Sequence, residues 1–317
     1  MVVVDATSVV ALAEVIRHGI VESVHHGAMV LLDADGAITF AAGAPTVRVL
    51  PRSAWKPVQA TALLQCGLQV PGDQLAVVCS SHSGRPEHVH RVEAILDGIG
   101  LSVADLGNEP DYPFDPELRA IWIANDQGPT ALVANCSGKH AGMLATCAVN
   151  GWPLENYMDQ AHPLQRHILS LTVQVAPNAR FAGPDGCGAP AVECSLESLA
   201  RAAGLVASGS VEEAHRVFQA MTSYPLLAAG PGRIATSMMQ TFPGVLVKDG
   251  AEGTFVAAAP DGRALALKVA DGSTRPVPSL LHWGLLSLGF EPVDLTGGTM
   301  SAASAIRSSE VRVLLAN

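Results

Sequence analysis

Turn signals that suit β-hairpins sit near both ends of this chain, and the stretch between them reads mainly as helix. Near the start, residues 28–32 and 37–42 are apolar runs flanking Asp33-Ala34-Asp35-Gly36, a connection that predicts a β-hairpin. Near the end, residues 244–247, 254–259 and 264–269 are separated by Asp249-Gly250 and Asp261-Gly262, which predicts a three-strand meander. Five antiparallel strands are therefore expected from the two ends. The middle carries helical signals. Residues 53–65 run to Cys66-Gly67, a plausible C-cap, and 86–96 and 137–149 place apolar residues three and four apart. Ser210-Val211-Glu212-Glu213 matches a capping box opening a helix to about residue 222, and a last helix is expected over 278–288. The fold class implied is α/β (α+β): an antiparallel sheet from both chain ends, flanked by helices, with a mostly helical inserted region. Residues 1–70 and 244–317 would form the sheet lobe and 71–243 the helical lobe of a single domain, with a site at the seam.

Charge narrows the function. With 19 Lys+Arg against 29 Asp+Glu the formal charge is −10, so a nucleic-acid backbone is a poor partner. The hydrophobic fraction of 49% supplies a large core, and aromatics at 4% leave Ala, Val and Leu to fill it. The first residues lack a basic segment followed by a continuous apolar one, and no run reaches the roughly 18 apolar residues of a membrane span. A cytoplasmic protein with no membrane partner is expected, its six cysteines kept as thiols.

Four segments carry candidate chemistry. Ser53-Ala54-Trp55-Lys56 puts an amine one helical turn from a hydroxyl, and a lysine of depressed pKa can activate a serine. The same spacing is equally compatible with an N-cap serine and a solvated lysine. Cys79-Ser80-Ser81-His82-Ser83-Gly84 either lines a polar pocket or forms a satisfied turn. Asn135-Cys136-Ser137-Gly138-Lys139-His140 and Gly183-Pro184-Asp185-Gly186-Cys187-Gly188 could present thiolates to a soft divalent metal, or bury inert thiols. Lys268, in the apolar strand 264–270, either snorkels to solvent or reaches a pocket.

Together these segments resemble the thermolabile, Rhizobium-type L-asparaginases, the L-asparaginase II family. Arg52 to Pro57 is similar to that family's R-S-x-x-K-P, and Asn135 to His140 to its N-C-S-G-K-H. Ser81-His82-Ser83 resembles its S-H-S, Asp185-Gly186-Cys187 its D-G-C, and Gly19 to Ser23 its entry segment. The matches keep the family's order over about residues 17–270. The resemblance implies a fold related to serine β-lactamases and glutaminases and hydrolysis of L-asparagine to L-aspartate and ammonia. It implies that Ser53 pairs with Lys56 and Ser81 with Lys268, that Arg52, His140 and Asp185 lie near substrate or metal, and that Cys136, Lys139 and Cys187 bind a zinc ion. A homodimer is expected with it.

The residues after Lys268 depart from the family, and Thr296-Gly297-Gly298-Thr299 matches its terminal glycine segment only loosely. No S-D-N triplet occurs and Lys268-Val269-Ala270 is not K-T-G, which disfavours lactam hydrolysis. Which Ser/Lys pair attacks stays open. Alternatives are a glutaminase or other small-amide or peptide hydrolase of the same fold, or a non-catalytic zinc- or amino-acid-binding relative.

Overall fold

The computed structural model describes residues 7–293 and 309–316. Its main sheet is antiparallel and built from β1 (Val10–Arg17), β2 (Ile20–Leu32), β3 (Ile38–Ala42), β7 (Leu246–Asp249), β8 (Thr254–Ala258), β9 (Ala264–Val269) and β10 (Ser309–Val313). The order is β10-β1-β2-β9-β8-β7, with β3 pairing off β2. A second sheet holds β4 (Arg48–Val49), β5 (Arg180–Pro184) and β6 (Pro190–Ser195) in the order β4-β6-β5. The helices are α1 (Lys56–Gln65), α2 (Gly72–Val78), α3 (Pro86–Asp97), α4 (Pro116–Ala124), α5 (Ser137–Asn150) and α6 (Pro163–Val175). They continue as α7 (Leu196–Ser208), α8 (Glu212–Ser223), α9 (Pro225–Ala228), α10 (Ile234–Thr241) and α11 (Val277–Ser287).

The expected α/β class, with a sheet from both chain ends and helices between, is what the chain adopts. Its details differ for local reasons. β1 escaped the sequence reading because it turns into β2 through His18-Gly19, both at positive φ (51° and 79°), a two-residue turn without the usual Asn or Asp. The expected single helix 53–65 opens instead as a 3₁₀ turn, Arg52–Trp55, before α1. The Ser210 capping box is not formed: Val211 is the N-cap of α8 and contributes no side-chain bond. The Thr296–Thr299 segment lies outside the described residues.

Cross-strand register shows which side chains meet the helices. Ala28, Val30 and Leu32 pair with Lys268, Ala266 and Ala264, which pair with Thr254, Val256 and Ala258, so these rows share one face. Small residues there let α7 close in: Gly204 lies against Gly262 and Ala264, and α7 packs on β2, β8 and β9. The opposite face, with Met29, Leu31 and Leu265, receives Gly284 of α11. The edge strand β7 extends this pattern, because Lys248 pairs with Val256 and therefore points to the α7 side. Burying an ammonium on that face is costly unless it finds partners.

Candidate active site

Lys248 finds them at the end of α2. Its Nζ donates to Ser81 Oγ (3.1 Å), to Asp249 O (2.8 Å) and to Asp249 Oδ1 (2.5 Å), and the side chain is fully buried. The same Ser81 hydroxyl is 3.3 Å from Nζ of Lys56, which opens α1 and also donates to Ser80 O (2.5 Å) and Cys136 Sγ (3.2 Å). One hydroxyl thus lies between two lysine amines. Two glycines make the convergence possible. A Cβ on Gly138 would lie 2.4 Å from Val77 O, so only glycine lets α5 approach α2 this closely. A Cβ on Gly250 would lie 2.4 Å from Pro51 O, so the turn after β7 sits directly on the backbone that leads into Arg52 and Ser53.

The electrostatics are those of a buried relay. Burial, reinforced by nearby Lys56 and Arg233, lowers the Lys248 pKa from 10.5 to about 8 although Asp249 opposes the shift. Burial pushes the Asp249 carboxyl up, but Lys248 and Arg233 outweigh it and bring it to about 2. Arg233 Nη2 donates to Asp249 Oδ2 at 2.6 Å. At pH near 8 Lys248 therefore exchanges a proton easily while Asp249 stays charged.

Next to this relay stand the thiols. Cys136 caps the N-terminus of α5, and Cys187 comes from the Asp185–Ala189 turn between β5 and β6. Cys187 contacts Cys136, and Lys139 Nζ donates to Cys187 Sγ at 3.0 Å. The hydrogen bond from Cys187, with Lys56 and Lys139 nearby, holds the Cys136 thiol well below its ordinary pKa despite burial. Among the described residues no cluster of three or more His, Cys, Asp or Glu side chains could hold a metal. A third ligand would have to be the Lys139 amine. Two sulfurs and an amine gathered in one buried place fit a soft, tetrahedral divalent ion with one position left open.

The structure rearranges the expected pairs. Lys268 does not reach Ser81; its Nζ donates to Glu252 O and to Val269 O (3.0 Å), on a strand two removed from β7. Lys248 stands where Lys268 was expected, and the sequence reading missed it by ending this strand at Val247 when β7 runs to Asp249. Lys248 and Asp249 did leave a signal, a charged pair closing an apolar run before glycine. Ser53 and Lys56 meet through the backbone and not through their side chains: the Lys56 N–H donates to Ser53 O at the end of the 3₁₀ turn, while the Lys56 amine points to Ser81. Arg52, with a left-handed φ of 49°, donates through Nε to Asp185 Oδ1 (2.6 Å), so those two meet as a pair. They are brought together because β4 and β6 pair just before Arg52 and just after the Cys187 turn. His140 is fully buried, its Nδ1 2.6 Å from the Tyr157 hydroxyl, and it does not line the cleft. His82 is likewise structural, held by Ser137 Oγ (2.9 Å) and Gly84 N (3.1 Å). Arg233 carried no sequence signal.

Arg52, Ser53, Ser81, Cys136, Asp185, Arg233 and Asp249 line one cleft of about 340 Å³. A serine held between lysine amines beside a pocket of that size equips the chain as an amidohydrolase. Its lineage agrees: residues 13–309 match the L-asparaginase II family, and the chain belongs to it. No curated protein matches. Similar solved structures include a Bacteroides dorei DSM 17855 protein assigned as a β-lactamase (14% identity, 82% of this chain and 93% of that one, TM-score 0.45). A β-lactamase from Mycobacterium bovis shares 14% identity over 83% of this chain and 94% of its own, with TM-score 0.41. A Bacillus glutaminase shares 13% over 84% and 91%, with TM-score 0.36. Among the described residues no helix is long and apolar enough to cross a membrane.

Proposed function

We propose that this amidohydrolase cleaves the side-chain amide of L-asparagine, giving L-aspartate and ammonia. The observation that carries the reading is the Ser81 hydroxyl between the Lys56 and Lys248 amines at the cleft. Lys248, neutral in part near pH 8, takes the Ser81 proton as Oγ attacks the amide carbon. The Lys56 amine, bonded to the same oxygen, guides that proton transfer. The proton then passes to the departing nitrogen, ammonia leaves, and an aspartyl ester remains on Ser81. Water attacks the ester, gives its proton to the lysine amine, and the Ser81 oxygen takes a proton back as aspartate departs.

A second reading makes Ser53 the nucleophile and Ser81 the relay. It is favoured by exposure, since Ser53 is half-buried at the cleft whereas Ser81 is 3% exposed. Quenching turnover of asparagine in acid and mapping the aspartyl adduct by mass spectrometry separates the two. An adduct on Ser81 upholds the first reading and one on Ser53 the second. No ammonia release from asparagine by the purified protein refutes the activity itself. A parallel glutamine assay decides preference.

The donor set of Cys136, Lys139 and Cys187 supports a zinc site in this reading. The ion would supply a fixed positive charge for orienting substrate, and Lys139 would bind it only as the neutral amine. Elemental analysis of the wild type and of Cys187→Ser checks this: zinc near one per chain in the first and lost in the second is the expected result.

A further inference from the structure

A second, much smaller recess adjoins the cleft. Its polar wall is Arg52, Ser53, Lys56, Gln59, Lys139 and Asp185, and its room of about 10 Å³ is on the scale of one water molecule. Arg52, Ser53 and Asp185 also line the cleft, so the two spaces share a wall. Gln59 follows Lys56 by one helical turn on α1, and the two side chains therefore lie on the same face. Only 7% of Gln59 is exposed, yet among the described residues its amide has no hydrogen-bond partner. The amide is not sealed off as His140 Nε2 is; it opens on the recess. The Ser53 hydroxyl is unpartnered among the described residues too. By contrast, the three donors of the Lys56 amine are committed to Ser80 O, Ser81 Oγ and Cys136 Sγ. Buried amides are rarely left without a partner, and two free polar groups around room for one water are the setting in which a bound water replaces the missing one.

We infer that Gln59, together with the Ser53 hydroxyl, seats the water that hydrolyses the aspartyl ester in the second half of the reaction. The inference rests on the Ser81 acyl-transfer reading and deepens it. Lys56 joins the two places, because its amine bonds Ser81 and its side chain lines the recess. Water that donates one O–H to Gln59 Oε1 and accepts the Ser53 O–H keeps a lone pair for the ester carbon. Its oxygen bonds that carbon, its other proton goes to the lysine amine, the bond from carbon to Ser81 Oγ breaks, and the Ser81 oxygen takes the proton back. Attack by the serine on the amide needs no such water. Gln59 therefore acts on deacylation and leaves acylation alone.

The test separates the two half-reactions in the full-length protein with asparagine as substrate. Gln59→Met keeps the volume and removes both polar atoms, and Gln59→Asn keeps the amide but withdraws it by a methylene. Loss of a nucleophile's alignment costs up to about a hundredfold, so kcat should fall roughly ten- to hundredfold in Gln59→Met and less in Gln59→Asn. The first ammonia should still leave at the wild-type rate, as a burst of about one per chain, and acid quenching should show the aspartyl adduct accumulating on Ser81. Hydroxylamine attacks the ester from the cleft and carries it off as aspartyl hydroxamate, so it should restore steady ammonia release in both variants. A slower first turnover with no accumulated adduct and no hydroxylamine rescue overturns the inference, and so does a wild-type kcat in Gln59→Met. Should Gln59→Met fail to fold, Gln59→Asn decides: adduct accumulation upholds the inference, and a wild-type partition between water and hydroxylamine overturns it. The acyl-transfer reading fails differently, in the wild type itself. No ammonia release, or an adduct on Ser53 in place of Ser81, would refute that reading and take the role of Gln59 with it.

Discussion

Removing the Asp249 charge tests the relay where its parts oppose one another. Lys248 sits at about 8 because burial outweighs the upward pull of a carboxylate 2.5 Å from its amine. Asp249→Asn keeps the shape and deletes that pull, so the Lys248 pKa must fall. A single close countercharge moves a buried group by about 1–3 units, which puts the variant near 5–7. At pH 7 a base of pKa 8 is about one-tenth deprotonated and one of pKa 6 about nine-tenths, by the ordinary titration relation. The acid limb of the kcat/KM profile, read from ammonia release across pH 5–9, should move down by about 1–3 pH units. The height of the curve carries less information, because the variant also loses the Arg233 ion pair and its optimum rate drops. Stability should fall by about 3 kcal/mol, the usual cost of breaking a buried pair from one side. A limb that stays at pH 8, or rises, would refute the assignment of Lys248 as the titrating base.

Three further outcomes follow from the same geometry. Lys248→Met should cost at least a thousandfold in kcat/KM, whereas Lys268→Met, whose amine bonds backbone carbonyls only, should cost less than threefold; ammonia release at pH 8 measures both. Gly250→Ala forces a Cβ to 2.4 Å from Pro51 O, so it should lower stability by about 2 kcal/mol and kcat/KM by tenfold or more, with chemical denaturation and kinetics as the paired assays. The pH dependence of unfolding should show both buried charges. Asp249, lowered to about 2 from 3.8, contributes about 2 kcal/mol that is present above pH 4 and lost as pH falls through 2. Lys248, also lowered, has the opposite sign: its penalty of about 3 kcal/mol is full below pH 8 and relieved as pH rises toward 10.5. Calorimetric unfolding of wild type and Asp249→Asn between pH 2 and 10 checks both, and the acid loss should be smaller in the variant.

Much of this molecule was legible in the sequence where local chemistry decides structure. Asp261-Gly262 turns β8 into β9 as expected, and the helix over 86–97 appears where the three-and-four spacing put it. The Cys136 and Cys187 segments meet, as do Arg52 and Asp185. What escaped depends on long-range register. The β5–β6 hairpin that carries Cys187 turns through Asp185-Gly186, a strong turn dipeptide, but its strands are short and bounded by Pro184 and Pro190, so the sequence offered the turn but not the sheet that aims it. Arg233 lies before α10, and its role comes only from the approach of Asp249, 16 residues away.

The misplacement of the second lysine shows how such errors arise. Lys248 and Lys268 both lie on apolar strands, both face the α7 side, and both precede an Asp-Gly turn or lie close to one. Period-two alternation cannot choose between them, because each satisfies it. The choice is made by position within the sheet. β9 is central, flanked by β2 and β8, and the Lys268 amine ends on the carbonyls of its own neighbourhood. β7 is the edge strand, and an edge leaves its inward side chain open to whatever packs beside the sheet. Here that is the end of α2, brought within reach because α5 lies tightly on α2 through Gly138. The Lys248 amine therefore reaches Ser81 through a contact between helices that it does not itself touch. A one-residue slip of β7 would exchange Lys248 and Asp249 across the sheet and remove the base from the cleft.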